Sequence, residues 1–178
     1  MSTDSGSQPV GRSALPPVRR LTAQDAAAFH HLRLEGFARH PGQFRIAVAD
    51  EQGLALGDVA ARLDREYVVG GFRGPELVAI GGLSRFTGAK LRHKALLWGM
   101  YVREEARGAG LGDAIVARLL DHAVSEGIEI VLLTLAADNE RARRLYERWG
   151  FVRYGTEPRA VKDGADYFDE ALMAWQAG

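Results

Sequence analysis

The 178-residue chain contains no cysteine. That removes disulfides, thiolate metal sites and a cysteine nucleophile, and it suits a reducing compartment, so a cytoplasmic protein is expected. No apolar run reaches the roughly 18 residues of a membrane-crossing helix. The N-terminus also lacks the basic-then-apolar order of a signal peptide, and no membrane partner is expected. Charge of one sign is missing too, because 23 basic and 23 acidic side chains cancel. Phosphate backbones demand a basic face, so no nucleic-acid partner is expected. Histidines are sparse. His30 and His31 are adjacent and point in different directions on a helix, not in the i, i+4 arrangement of a zinc pair, and no metal is expected.

Glycine, in contrast, is abundant, with 21 residues in the chain, where average usage of roughly 7% would supply far fewer. With a hydrophobic fraction of 47%, this predicts many tight turns in a packed protein rather than disorder. Residues 1–17, rich in Ser, Gly and Pro, read as a flexible tail. Residues 18–178 read as one domain, the default at this length.

The chain alternates strand and helix patterns. Val18 to Leu21 is a short strand. Thr22-Ala23-Gln24-Asp25 has capping-box spacing and starts a helix with Ala28, Phe29, Leu32 and Gly36 inward, broken at His40-Pro41-Gly42. Residues 43–66 are ambiguous, although Leu56, Val59, Ala60 and Leu63 fit a second helix. Residues 67–72 and 76–83 form a hairpin through Arg73-Gly74-Pro75. A strand over 95–102 runs into Arg107-Gly108-Ala109-Gly110-Leu111-Gly112. Behind it Ile115, Val116, Leu119, Leu120, Ala123 and Val124 repeat at helical spacing. Gly127 ends that helix. Residues 128–135 are almost continuously apolar, as in a buried strand, and should lie parallel to 95–102. Asp138 or Asn139 caps a further helix with Ala142, Leu145, Tyr146 and Trp149 as its inner stripe, stopped by Gly150. Residues 151–154 read as a strand, 158–166 as a polar loop and 167–175 as the last strand.

The glycine loop carries the chemistry. Its glycines open backbone conformations closed to other residues, and no side chain blocks a ligand. The helix it opens begins with unpaired N–H groups at a positive dipole end, which suits a phosphate or pyrophosphate. An ATP-type P-loop needs Gly-Lys-Ser/Thr, but Asp113 follows Gly112. A dinucleotide fingerprint needs a small residue where Asp113 stands, and that carboxylate would repel pyrophosphate. The pattern Arg-x-x-Gly-x-Gly is satisfied by Arg107, Gly110 and Gly112.

With this loop the chain resembles the GNAT N-acetyltransferases. A second signature lies one strand and one helix downstream: Asn139-x-x-Ala142-x-x-Leu145-Tyr146-x-x-x-Gly150-Phe151. The closing Tyr167-Phe168-Asp169-Glu170-x-Leu172-Met173 is similar to the family's last strand. The resemblance implies an α/β fold with a mixed, mostly antiparallel central sheet, splayed between strands 4 and 5 and flanked by helices. It implies acetyl-CoA as co-substrate, with the pyrophosphate on the backbone of Arg107, Gly108, Ala109, Gly110 and Gly112. The pantetheine arm would pair like a strand with Met100 and Val102, and Asn139 would contact the cofactor. Tyr146 sits where the family places the proton donor to the departing thiolate.

From the residues alone, Tyr146 is also readable as a core aromatic, and Asn139 is equally readable as a helix cap only. Glu35, Glu66, His93 and Asp169 are candidate general bases, and nothing in the sequence selects one. The implied reaction is acetyl transfer to a primary amine of a small molecule or peptide. The rivals are a non-catalytic acyl-CoA-binding or sensing module, and a transferase for a longer acyl group with an open floor near Trp98 and Leu135. In the family the acceptor is chosen by the regions that here span residues 33–66 and 156–167, and the charges of the second point weakly to a cationic amine. Self-association as a homodimer is left open.

Overall fold

A computed structural model describes residues 16–178. Most of the expected flexible tail lies outside these residues. The elements run β1 (Val18–Arg20), α1 (Ala26–Arg39), α2 (Val48–Glu51), α3 (Leu56–Arg65), β2 (Tyr67–Arg73), β3 (Glu76–Arg85), β4 (Lys94–Val102), α4 (Leu111–Ser125), β5 (Ile130–Ala136), α5 (Glu140–Arg148), β6 (Val152–Asp163) and β7 (Asp166–Gln176). They build one seven-stranded sheet in the order β1-β2-β3-β4-β5-β7-β6. Every pairing is antiparallel except β4 with β5. The parallel pair follows from the chain path, since β4, α4 and β5 form a crossover unit.

Two cores cover the two faces of the sheet. On one, α4 and α5 pack Leu111, Ile115, Val116, Leu119 and Tyr146 onto Leu97, Val131 and Leu133. On the other, α1 and α3 pack Phe29, Leu32, Val59 and Leu63 onto Val68, Ile80 and Tyr101. The capping box of Thr22 and Asp25 is present and opens a short 3-10 turn before α1. Two helix phases differ from expectation. Ala28 faces solvent, and the inner stripe of α1 is Ala26, Phe29, Leu32, Arg33, Gly36 and Phe37. A buried arginine is invisible to hydrophobic periodicity, so the stripe was misplaced around it. Val124, expected inward on α4, is exposed.

The polar loop expected over 158–166 is instead the far half of a long hairpin, in which β6 continues to Asp163. Pro158 cannot donate to a ladder, but β6 is the sheet's edge strand, where a missing N–H costs little. An irregularity between Glu157 and Val161 absorbs the proline, with Arg159 at φ 53° and its N–H bonded to Asp169 Oδ1 at 2.7 Å.

Candidate active site

The site lies where β4 and β5 separate. Their pairing is confined to Lys94↔Ile130, Ala95↔Val131 and Leu96↔Leu132. Beyond Leu96 the strands are no longer bonded to each other, which is the expected splay. Inside β4 a bulge changes which face each side chain meets. Ile80 opposes Tyr101 and Gly82 opposes Trp98, so Gly81 faces both Gly99 and Met100. Gly99 takes φ 64°, a conformation glycine adopts without steric cost. Before the bulge, Ala95 and Leu97 belong to the α4 side. After it, Met100 and Val102 pack against that side, while Tyr101 joins the α1–α3 side. The bulge thus turns Met100 and Val102 toward the glycine loop.

A cleft of about 620 Å³ follows the gap. Met100, Val102, Ala142 and Leu145 give it an apolar wall, and Gly108, Gly110 and Gly112 form one end, with Asn139 and Arg148 also on its lining. The glycine end is rich in free donors. Gly108 and Gly110 have φ 80° and 78°. Gly110 is the N-cap of α4 and supplies no side-chain bond; the helix's hydrogen bonding starts with Ala114 N–H to Gly110 O at 2.9 Å. The N–H groups of Leu111, Gly112 and Asp113 therefore have no intrahelical acceptor, at the positive end of a four-turn helix. A Cβ on Gly112 would come 3.2 Å from Leu145, so glycine also permits the close approach of α4 and α5.

Asp113, the residue that argued against other phosphate motifs, is turned aside. It accepts from Arg148 Nη2 and Trp149 Nε1, each at 3.0 Å, tying the start of α4 to the end of α5. Arg107 donates from Nε to Val102 O at 3.0 Å and braces the loop against the end of β4. Ala109 is not on the cleft lining.

Asn139 both caps α5, accepting from Ala142 N–H at 3.0 Å, and donates to Gln43 Oε1 at 3.0 Å. Gln43 belongs to the segment after α1 that lies across the gap, and the sequence held no signal for this contact. Tyr146 is buried at 5% exposure in the α4–α5 core, edge-on to Phe151. Burial pushes its phenol well above the ordinary range. No described residue bonds its hydroxyl. Among the described residues no fully buried side-chain oxygen lacks a partner. Its neighbours Ala142 and Leu145 line the cleft, and Tyr146 itself stands behind them.

A second cavity, about 370 Å³, opens on the α1–α3 side of the same gap. Gln43 and Phe44 line both spaces, so the two meet under that segment. The candidate bases separate clearly here. Glu66 is on the cavity wall and accepts from Ser84 Oγ at 2.7 Å. Glu35 is held by Arg103 and by the Tyr101 hydroxyl at 3.0 Å. Burial opposes its charge, but these hydrogen bonds outweigh it and keep the carboxyl below its usual range. Tyr101 is pushed up to about 12 by burial and by Glu35. Asp169 is bonded to the Arg159 backbone, and His93 lies in the turn before β4; neither lines either space. Glu170, which sequence reading passed over, does line the second cavity at 5% side-chain exposure. Alternation along β7 would have placed it beside Leu172 and opposite the buried Ala171 and Met173.

This architecture is shared with solved acetyltransferases. A GNAT-family acetyltransferase from Streptococcus pneumoniae superposes with a TM-score of 0.81 at 20% identity, over 90% of this chain and 99% of the other. A GNAT superfamily phosphinothricin acetyltransferase from Sinorhizobium meliloti, in complex with AcCoA, gives 0.78 at 18% identity, over 93% and 90%. At such identities the likeness is one of fold. Residues 26–151 match the acetyltransferase (GNAT) family, and the chain belongs to that family. A mycothiol acetyltransferase of Streptomyces scabiei is 32% identical over 137 residues, covering 75% of this chain and 42% of the relative. A second, from Kocuria rhizophila, is 31% identical over 140 residues, covering 74% and 44%. The chain thus spans less than half the length of these curated relatives. No described helix is long and apolar enough to cross a membrane.

Proposed function

We propose that this chain transfers an acetyl group from acetyl-CoA to a primary amine by direct attack of the amine on the thioester. The observation that carries the reading is the row of unpaired amides at Gly110 to Asp113, set at the end of an apolar-walled cleft that runs along unpaired β4. Those amides, with Gly108 and Arg107 shaping the loop, receive the pyrophosphate. Met100 and Val102 lie along the pantetheine arm, and Asn139 contacts the cofactor with the amide hydrogen left over from its cap and its bond to Gln43. The acetyl-CoA complex of the Sinorhizobium meliloti neighbour and the family membership support the choice of donor.

In the reaction the amine nitrogen, freed of its ammonium proton, bonds to the carbonyl carbon. The C–S bond breaks and the amide nitrogen gives up a second proton. A free backbone N–H near the end of β4 meets the charge growing on the carbonyl oxygen. We assign protonation of the thiolate to Tyr146. A phenol held above its ordinary range is fully protonated at neutral pH, and its hydroxyl has no described protein partner to satisfy first. The deciding experiment is thiol release from acetyl-CoA, succinyl-CoA and longer acyl-CoAs across a panel of amines. Turnover with acetyl-CoA and any amine supports the reading. Binding of coenzyme A without turnover would leave a sensor, and preference for a longer thioester would change the donor.

A further inference from the structure

The second cavity has the chemistry of a particular acceptor. Its walls include Phe37, Phe44, Ile46, Leu96 and Trp98, so most of what a ligand meets there is apolar. Ile46 stands at 37% exposure, a large aliphatic group open to water on the lining. The charged groups of the lining are three arginines, Arg33, Arg45 and Arg62, and three glutamates, Glu51, Glu66 and Glu170. Net charge therefore selects nothing; the atoms left without partners do.

Glu51 is saturated. It accepts from Arg33 Nε at 2.8 Å and Nη2 at 2.6 Å and from Arg62 Nη1 at 3.0 Å. The Arg33 guanidinium is further covered by the rings of Phe37 and Trp98, at 4.9 and 5.2 Å from their centroids. Glu66 is turned to Ser84 through Oε2, with that hydroxyl also accepting the Trp98 indole N–H, and its Oε1 is paired with Arg65 Nη2 at 3.6 Å. Arg45 is divided between Glu157 and Glu170. Glu170 differs from the rest. Nε and Nη2 of Arg45 both converge on its Oε2, with Nε at 2.7 Å, and Oε1 has no partner among the described residues. Glu170 lines the cavity, and among the described residues no fully buried side-chain oxygen lacks a partner, so Oε1 is open rather than entombed. Arg45 holds the carboxylate in place by one oxygen and leaves the other as a fixed acceptor in an apolar chamber. An ammonium group satisfies such an oxygen; a neutral apolar group leaves it unpaired, which is costly.

We propose that the acceptor is a primary amine carried on an apolar body, aromatic or branched aliphatic, and that Oε1 of Glu170 receives its ammonium end while Phe44, Ile46 and Trp98 enclose the remainder. This deepens the transferase reading and rests on it. Glu170 is a binding residue here, and proton removal from the amine is a separate task.

The test is steady-state thiol release with 2-phenylethylamine and 3-methylbutylamine against glucosamine and ethanolamine, at saturating acetyl-CoA. The apolar amines are expected to show kcat/KM at least about tenfold higher, the scale at which pocket complementarity discriminates. Glu170→Gln, which keeps the shape and removes the charge, is expected to raise KM for 2-phenylethylamine at least about tenfold with KM for acetyl-CoA unchanged. Ile46→Ser, at an exposed position that folding tolerates, is expected to raise the same KM severalfold. Equal or better turnover of glucosamine overturns the proposal, as does a Glu170→Gln enzyme with unaltered amine KM. Calorimetry with N,N-dimethyl-2-phenylethylamine, whose ammonium keeps one N–H for Oε1 but which as a tertiary amine cannot form an amide, separates the two readings. If no amine releases thiol, binding of this cation that is lost in Glu170→Gln keeps the amine site while the transferase reading fails. Absence of binding to the wild-type protein, with or without coenzyme A, overturns the site itself.

Discussion

Glu51 takes three hydrogen bonds from two arginines at 6% side-chain exposure, with Arg33 at 3%. Removing one member of so buried a pair strands the other's charge. Glu51→Gln should therefore lower unfolding free energy by about 3 kcal/mol, read from urea denaturation. The pH dependence has a definite sign. Burial tends to raise the carboxyls of Glu51 and Glu35, but their arginine partners prevail and both lie below the ordinary value. Groups lowered in the folded state stabilise it above the unfolded value of about 4.3. That stabilisation is lost as pH falls through the folded values, so the urea midpoint should drop between about pH 5 and about pH 3. In Glu51→Gln the drop should be shallower; an identical pH profile would remove Glu51 from this account. At Tyr146 the proton-donor role predicts a fall in kcat of about tenfold or more for Tyr146→Phe, measured at saturating acetyl-CoA. An unchanged kcat would leave Tyr146 as the core aromatic that its packing against Phe151 also allows. Its place on the inner stripe of α5 was legible from spacing, whereas its position behind Ala142 and Leu145 was not, because one helical face holds both lining and core positions. Arg33 and Glu51 were unreadable as a pair. They lie 18 positions apart, and a buried charge breaks the rule by which inner positions are recognised.

Among the elements, the β4 bulge decides what meets the cleft. Ala95 to Val102 reads as one continuous strand, and the extra residue at Gly99 declares itself only through the register with β3. Gly99→Ala places a side chain at φ 64° and its Cβ 2.8 Å from Arg33 Nη1. Arg33 cannot swing clear without breaking its bonds to Glu51. A loss of about 2 kcal/mol is expected from the left-handed backbone alone. Calorimetric melting checks this, and a rise in KM for acetyl-CoA should accompany it as Met100 and Val102 lose their setting. The glycine loop is the opposite case. Its spacing, the helix behind it and the strand before it were all legible, because turn and capping chemistry is local. The edge strand β6 was half legible: Pro158 reads as a loop signal until the sheet order places it at an edge.

For the whole molecule, a ligand that grips the amide end of α4 and the wall of β4 binds only when both cores are in place. Saturation with coenzyme A should then stabilise the fold by mass action, by about 2.7 kcal/mol at 100 times Kd. For a chain of this length that corresponds to a rise in melting temperature of about 5–10 °C. No shift at millimolar coenzyme A would contradict the assignment of the cleft. By itself the sequence determined the main succession of elements, the parallel crossover through α4 and the glycine loop with its open helix end, since each depends on periodicity, turn residues and helix ends within a few positions of one another. Tertiary structure alone decided where β4 leaves β5, which face Met100 presents, and that Gln43, Arg45 and Glu170 share a cavity floored by Trp98. These pairings join residues up to 125 positions apart, and a chain cannot announce a neighbour it meets only once the sheet has closed the distance.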